Sequence, residues 1–124
     1  MAFFSPKKVS WHISFNLRER NAYVERIARS IKPGSKVLDV GAGEGMYRSL
    51  FSHCDYRSQD FAQYGGSKGE FQKESWQYIP LDYTSDISSI PEKDGYFDFI
   101  LCTEVLEHVP EPIVAIKEMG RLLS

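Results

Sequence analysis

Between Trp11 and Ile31 the apolar residues Phe15, Val24, Ile27, Ala28 and Ile31 recur at helical spacing, most regularly in the second half, and predict an amphipathic helix. Pro33 and Gly34 end it, because proline disfavours helical geometry in the residue before it and glycine accepts the turn that follows. The pattern then changes to a short solid run. Lys36–Val40 (KVLDV), bounded by the Pro-Gly turn and by glycines, predicts a strand buried on both faces. Past those glycines, Met46, Tyr47, Leu50 and Phe51 fit one face of a short helix ending near residues 52–55, and a second strand is expected at Tyr56–Phe61.

Residues 62–77 (AQYGGSKGEFQKESWQ) are polar, contain glycine and show no sustained period, which predicts mostly loop. Tyr78–Thr84 offers a third strand and residues 87–95 a loop. Tyr96–Thr103 (YFDFILCT) is dense in aromatic and aliphatic residues and reads as a central fourth strand. Pro112 suits the first turn of a closing helix, with Ile113, Ile116, Met119 and Leu123 expected to face inward. Strands alternating with helices or loops in this order imply an α/β layer around a parallel sheet.

Composition changes little in this picture. The 124 residues suffice for one compact core, so residues 1–124 are expected to form a single domain, and 42% hydrophobic with 26% charged residues suits a packed globular chain. A formal net charge of -2 gives no global electrostatic reason for a nucleic-acid partner. Lys7, Lys8, Arg18, Arg20, Arg26 and Arg29 cluster early, but Glu19 and Glu25 interrupt them, as on a solvated helix face. Cys54 and Cys102 lie far apart without a CxxC pairing, which indicates neither a zinc site nor a disulfide framework. A reduced, cytoplasmic setting is expected, and neither a signal sequence nor a membrane-spanning apolar run is recognised.

The chemistry concentrates after the first strand. A buried strand running into GAGEG places backbone N–H groups at the carboxyl edge of the sheet, where α/β proteins bind ligands. Gly41, Gly43 and Gly45 let the chain turn sharply and let a ligand approach without meeting a Cβ. The spacing is G-x-G-x-G, not the G-x-G-x-x-G of dinucleotide sites, and Asp39 two places earlier disfavours a pyrophosphate but favours an ammonium or sulfonium cation. Asp60, 21 residues after Asp39, falls at the end of the second strand, where a carboxylate can accept both hydroxyls of a ribose. That placement serves any nucleoside ligand, so a nicotinamide-dependent oxidoreductase stays open as a competing reading.

VLDVGAGEG (Val37–Gly45) and the stretch DISSIPEKDGYFDFILCTEVLEHVPEP (Asp86–Pro112), continued by IVAIKEMGRLL, resemble the Rossmann-like class I S-adenosylmethionine-dependent methyltransferases, small-domain type. The resemblance runs from about Asn16 to the end. It implies a three-layer α/β sandwich and S-adenosylmethionine as cofactor, with S-adenosylhomocysteine as product. By the same resemblance, Gly41, Ala42 and Gly43 would pass close to the methionine and ribose portions, with Gly45 completing the turn, and Asp39 would help hold the ammonium end. Asp60 would bind the ribose hydroxyls, Phe61 would pack on the adenine, and Asp86 would accept from the adenine amino group with Ile87 beside the ring. Asp82 competes with Asp86 for that role. Cys102, Thr103 and Glu104 would lie beside the methionine part and the transferable methyl group. His108 is open between a general base and a structural hydrogen bond; no catalytic residue and no metal ligand is assigned.

The family's sheet has strand order 3-2-1-4-5-7-6, whereas this chain reaches Ser124 just after the helix following strand four. A partial sheet of order 3-2-1-4, lacking strands 5 to 7, is therefore expected. Its fourth strand would present an apolar edge over Phe97–Cys102, which favours a homodimer or strand exchange. The acceptor implied is a small molecule, and the alternative is a truncated module that binds the cofactor without catalysing transfer.

Overall fold

In this computed structural model the described residues are 9–61 and 80–124, with side chains described from residue 17 onward. Helix α1 (Val9–Ser30) ends where Pro33-Gly34 was expected to stop it, Gly34 taking φ +83° and donating its N–H to the His53 carbonyl at 2.9 Å. Strand β1 (Lys36–Val40) follows, then β2 (Asp55–Asp60), β3 (Tyr83–Thr84), β4 (Phe99–Cys102) and helix α2 (Pro112–Leu122). All three strand pairings are parallel, in the order β3-β2-β1-β4. The expected partial sheet is present, and the chain places its glycine turn at the carboxyl end of a central strand.

Period-two alternation along β1 explains the layering. Leu38 and Val40 pack with Ala115 and Leu122 of α2 and with Ile87, Ile90 and Phe97, while Val37 packs on the opposite face with Val24 and Ala28 of α1, Phe51 and Leu101. Helices thus cover both faces, giving three layers. Burying the two faces of β1 is what makes KVLDV read as a largely apolar run, with Asp39 its one buried polar member.

Four expectations need correction. The segment after the glycines forms turns and a 3-10 helix at Arg48–Phe51; Tyr47 and Phe51 are buried, but Met46 is 57% exposed. Three glycines in five residues leave too little helix-forming sequence for a regular α-helix to nucleate. The third strand keeps only Tyr83–Thr84 of its described part, and residues 62–79 lie outside the described residues, including Tyr78 of that expected strand.

In α2, Pro112 does occupy the first turn, but Ile113, Ile116 and Leu123 are exposed and Met119 is only partly buried. The fully buried residues are Ala115 and Leu122. A small side chain at position 115 lets the helix approach the sheet closely, so size, which favours isoleucine in a pattern reading, points to the wrong side of this helix. Finally, the edge of β4 is partly covered by its own chain: Leu123 bridges Phe97 in parallel, and Ser124 N–H donates to the Phe97 carbonyl at 2.9 Å. Phe97 is accordingly fully buried.

Candidate functional site

The strand ends and the turns after them line a cleft of about 450 Å³ at the carboxyl edge of the sheet. Gly41, Gln59, Asp60 and Phe61 contribute from the ends of β1 and β2, Asp86, Ile87 and Ser88 from the loop after β3, and Glu104, Val105 and His108–Glu111 from the segment after β4. Four separate stretches of sequence converge because parallel strands all end on the same side.

The glycine turn is shaped by its backbone. Gly41 adopts φ +64° and Gly43 φ +53°, a region costly for any residue with a Cβ. A Cβ on Gly41 would stand 2.4 Å from Val105 Cγ2, so this glycine lets the segment after β4 close against the turn. At Gly43 a Cβ would meet nothing within 4 Å, so the turn there faces open space.

Asp60 joins the turn to β2. Its Oδ2 accepts the Gly43 N–H at 2.8 Å and its Oδ1 the Phe61 N–H at 2.7 Å, with the residue 8% exposed. An ionised carboxylate has about four acceptor positions, so each oxygen retains capacity for one further donor. Beside it, buried Gln59 accepts the Gly41 N–H at 3.2 Å and donates to the Ser85 carbonyl at 2.7 Å, tying the turn to the loop after β3. Pattern reading passed over Gln59; a fully buried amide in a central strand announces itself only once its neighbours are known.

Asp39 lies under the turn and does not line the cleft. It is 2% exposed and accepts the Tyr56 hydroxyl at 2.5 Å. Burial raises its pKa to about 6 against the lowering effect of the Tyr56 hydrogen bond, and the nearby negative charge of Asp60 adds to the rise. Burial and the Asp39 carboxylate likewise push the Tyr56 phenol up. A cation above the turn would stabilise ionised Asp39.

Of the other expected site residues, Phe61 is half-exposed and lines the cleft with Asp86 and Ile87. Asp86 accepts the Ser88 N–H at 2.8 Å and the Ser88 hydroxyl at 2.6 Å, which hold its carboxyl below the usual range. Asp82, its competitor, does not line the cleft; it accepts the Ser58 N–H at 2.9 Å and lies 3.9 Å from Arg48. Ala42 donates its N–H to the Gln59 carbonyl, and Gly45 donates to the Ala42 carbonyl, so both shape the turn. Cys102 ends β4 against the α2-side core, Thr103 follows it, and Glu104 reaches the cleft wall. Burial pushes the Cys102 thiol up. His108 is exposed on the cleft rim, 3.9 Å from Glu107.

Arg20 departs from the solvated face expected of the early basic residues. It turns inward to donate to the Tyr47 hydroxyl at 2.9 Å and to pair with Glu104, whereas Arg29 on the same helix pairs with Glu25 in the expected way. Among the described residues no cluster of metal-ligating side chains occurs and no helix is long and apolar enough to cross a membrane.

Comparison with known proteins bears on the family and the fold. Residues 12–124 match the family described as "Methyltransferase domain". The ubiquinone biosynthesis O-methyltransferase of Xanthomonas campestris is 31% identical over 100 residues, covering 78% of this chain and 42% of that protein. Demethylmenaquinone methyltransferase of Staphylococcus haemolyticus is 30% identical over 99 residues, covering 76% and 41%. This chain thus spans about two fifths of the length of these curated relatives. A crystal structure of a SAM-dependent methyltransferase from Aquifex aeolicus aligns with a TM-score of 0.58 at 21% identity, covering 82% of this chain and 58% of that one. The shared fold is the Rossmann-like one expected, and the cofactor named for that neighbour is the one the family resemblance implied. With a family match over nearly its whole length, the chain belongs to the methyltransferase-domain family.

Proposed function

We propose that this chain holds S-adenosylmethionine in the cleft beside Asp60 and, within the protein it represents, serves methyl transfer to a small-molecule acceptor. The observation that carries the reading is the joining of the glycine turn to Asp60 through the 2.8 Å Gly43–Asp60 hydrogen bond, with both carboxylate oxygens retaining acceptor capacity. The residues fit the cofactor: Asp60 offers two acceptors to a ribose diol, and the turn at Gly43 faces open space. Asp39 supplies negative charge beneath the turn. Phe61 and Ile87 give apolar surface for a purine ring, and Asp86 an acceptor beside it.

When bound, S-adenosylmethionine supplies a sulfonium-activated methyl group and departs as S-adenosylhomocysteine. The chain's own part is to orient, through the backbone of Gly41–Gly43, Asp60 and the segment from Cys102 to Glu104, with Val105 and Val109 giving the cleft apolar lining. His108 on the rim is one candidate for taking a proton from an acceptor hydroxyl or amine, with a structural hydrogen bond as its other reading. A small-molecule acceptor is supported by the two relatives named for ubiquinone biosynthesis and for demethylmenaquinone. A cytoplasmic location and one partial domain over residues 1–124 belong to the same proposal.

A second reading, a module that binds the cofactor without turnover, draws on the chain's span of about two fifths of its curated relatives. Calorimetric titration with S-adenosylmethionine and S-adenosylhomocysteine, followed by transfer assays on phenolic, quinol and amine acceptors, separates them. Binding with turnover supports the first reading, and binding without turnover across the panel supports the second. Binding of NAD in place of both ligands would overturn the cofactor assignment.

A further inference from the structure

One guanidinium ties the segment that follows the glycine turn to the segment after β4, which lines the cleft. Arg20, on α1, donates through Nε to the Tyr47 hydroxyl at 2.9 Å and pairs through Nη1 with the Glu104 carboxylate. Tyr47 follows the glycine turn, is buried, and donates its own hydroxyl hydrogen to Asn21 Oδ1 at 2.8 Å, so the contact is fixed from both sides. Glu104 lies on the opposite wall, just before Val105, the residue packed on Gly41. Its backbone is the only non-glycine among the described residues with positive φ, at +52°. A residue with a Cβ persists in that region only where its surroundings over-determine it, and such strain gathers at ligand sites.

Burial supports the same view. The Arg20 side chain is 21% exposed while that of Glu104 is 66% exposed, so the cation is anchored and the carboxylate is the element being placed. A guanidinium presents several donors in a rigid fork, which suits it to hold a hydroxyl and a carboxylate at once. The remaining basic residues of α1 with described partners serve the helix itself: Arg29 pairs with Glu25 and Arg26 lies over Tyr23.

We infer that Arg20 is a positioning residue of the cofactor site, clamping Glu104 and the segment after β4 to the residues that follow the glycine turn, so that α1 braces the cleft from behind that wall. The inference rests on the cofactor reading above. It assigns Arg20 no contact with the ligand; its effect passes through Glu104 and Tyr47.

The test is calorimetric titration of S-adenosylmethionine into the unaltered chain and into Arg20→Ala, Arg20→Lys, Glu104→Gln, the Arg20→Ala/Glu104→Gln double variant and Asp60→Ala, with thermal unfolding of each. Arg20→Ala and Glu104→Gln should each weaken binding by roughly ten-fold, the scale of one charge-assisted hydrogen bond. The double variant should be no weaker than either alone, because both break the same clamp. Arg20→Lys should recover part of the affinity. Glu104→Gln changes an exposed, nearly isosteric side chain, so it reports on the clamp even if Arg20→Ala fails to fold. Independent, multiplying losses in the double variant would overturn the inference, as would Arg20→Ala and Glu104→Gln binding like the unaltered chain while Asp60→Ala binds weakly. Absence of binding by the unaltered chain would overturn the cofactor reading itself and this inference with it.

Discussion

Replacing Asp39 by asparagine should make the ligand-free protein more stable at neutral pH while making it a poorer holder of a cationic ligand. The carboxyl is 2% exposed and its pKa rises from an ordinary value of 3.8 to about 6 on folding. A group whose pKa is raised by folding favours the folded state when protonated. Its contribution is therefore most favourable below about pH 4, and stability is lost as pH rises until the carboxyl is ionised in the folded chain, above about pH 6. A difference of roughly two units corresponds to about 3 kcal/mol of stability forgone at pH 7 and above. Asparagine carries no charge at any of these pH values, and its amide oxygen can still accept the Tyr56 hydroxyl. Guanidinium denaturation at pH 4 to 8 is the assay: Asp39→Asn and the unaltered chain should be nearly equal at pH 4, and the variant should lead by about 2–3 kcal/mol at pH 7. Parallel stability profiles, or a variant less stable at pH 7, would refute the assignment of a strained buried carboxylate. In the same variant S-adenosylmethionine should bind more weakly, since the negative charge beneath the turn is gone.

Asp60→Ala should weaken S-adenosylmethionine binding by about 1–3 kcal/mol, the scale of lost hydrogen bonds to a charged group, as read by calorimetry; unchanged affinity would mean the ribose lies elsewhere. Gly41→Ala should destabilise the fold by roughly 1–3 kcal/mol, through both the Val105 clash and the positive φ. Adding Val105→Ala should restore only part of that loss, because the backbone strain remains. The outer edge of β4 beyond Phe97 is proposed to pair with a second copy or an exchanged element, so light scattering should show a dimer at high concentration; a stable monomer there would count against it.

Local chemistry carried much of this protein into view. KVLDV was legible as β1 to the residue, because burial on both faces leaves a short run dominated by apolar residues and glycines follow where φ turns positive. The place of Asp60 at the end of β2 was legible too, since parallel strands end on one side; that it also holds the Gly43 and Phe61 N–H groups was not. The strand order came with the resemblance of two long segments in fixed succession.

Tertiary structure decided what depends on the opposite surface. The sequence alone determined that α2 is a helix beginning at Pro112, but which side faces the sheet was settled by Ala115 fitting close against Leu38, Val40 and Phe97, leaving Ile113 and Ile116 outside. Arg20 reads as one more surface cation until Tyr47 and Glu104 are brought to it from distant parts of the chain. Likewise the aspartate of VLDVGAGEG is visible as an acid near a ligand turn, but its raised pKa is set by its burial, by the Tyr56 hydroxyl and by Asp60 across the strands. Period and turn chemistry are properties of neighbours along the chain, whereas burial, pairing and electrostatic cost belong to neighbours in space.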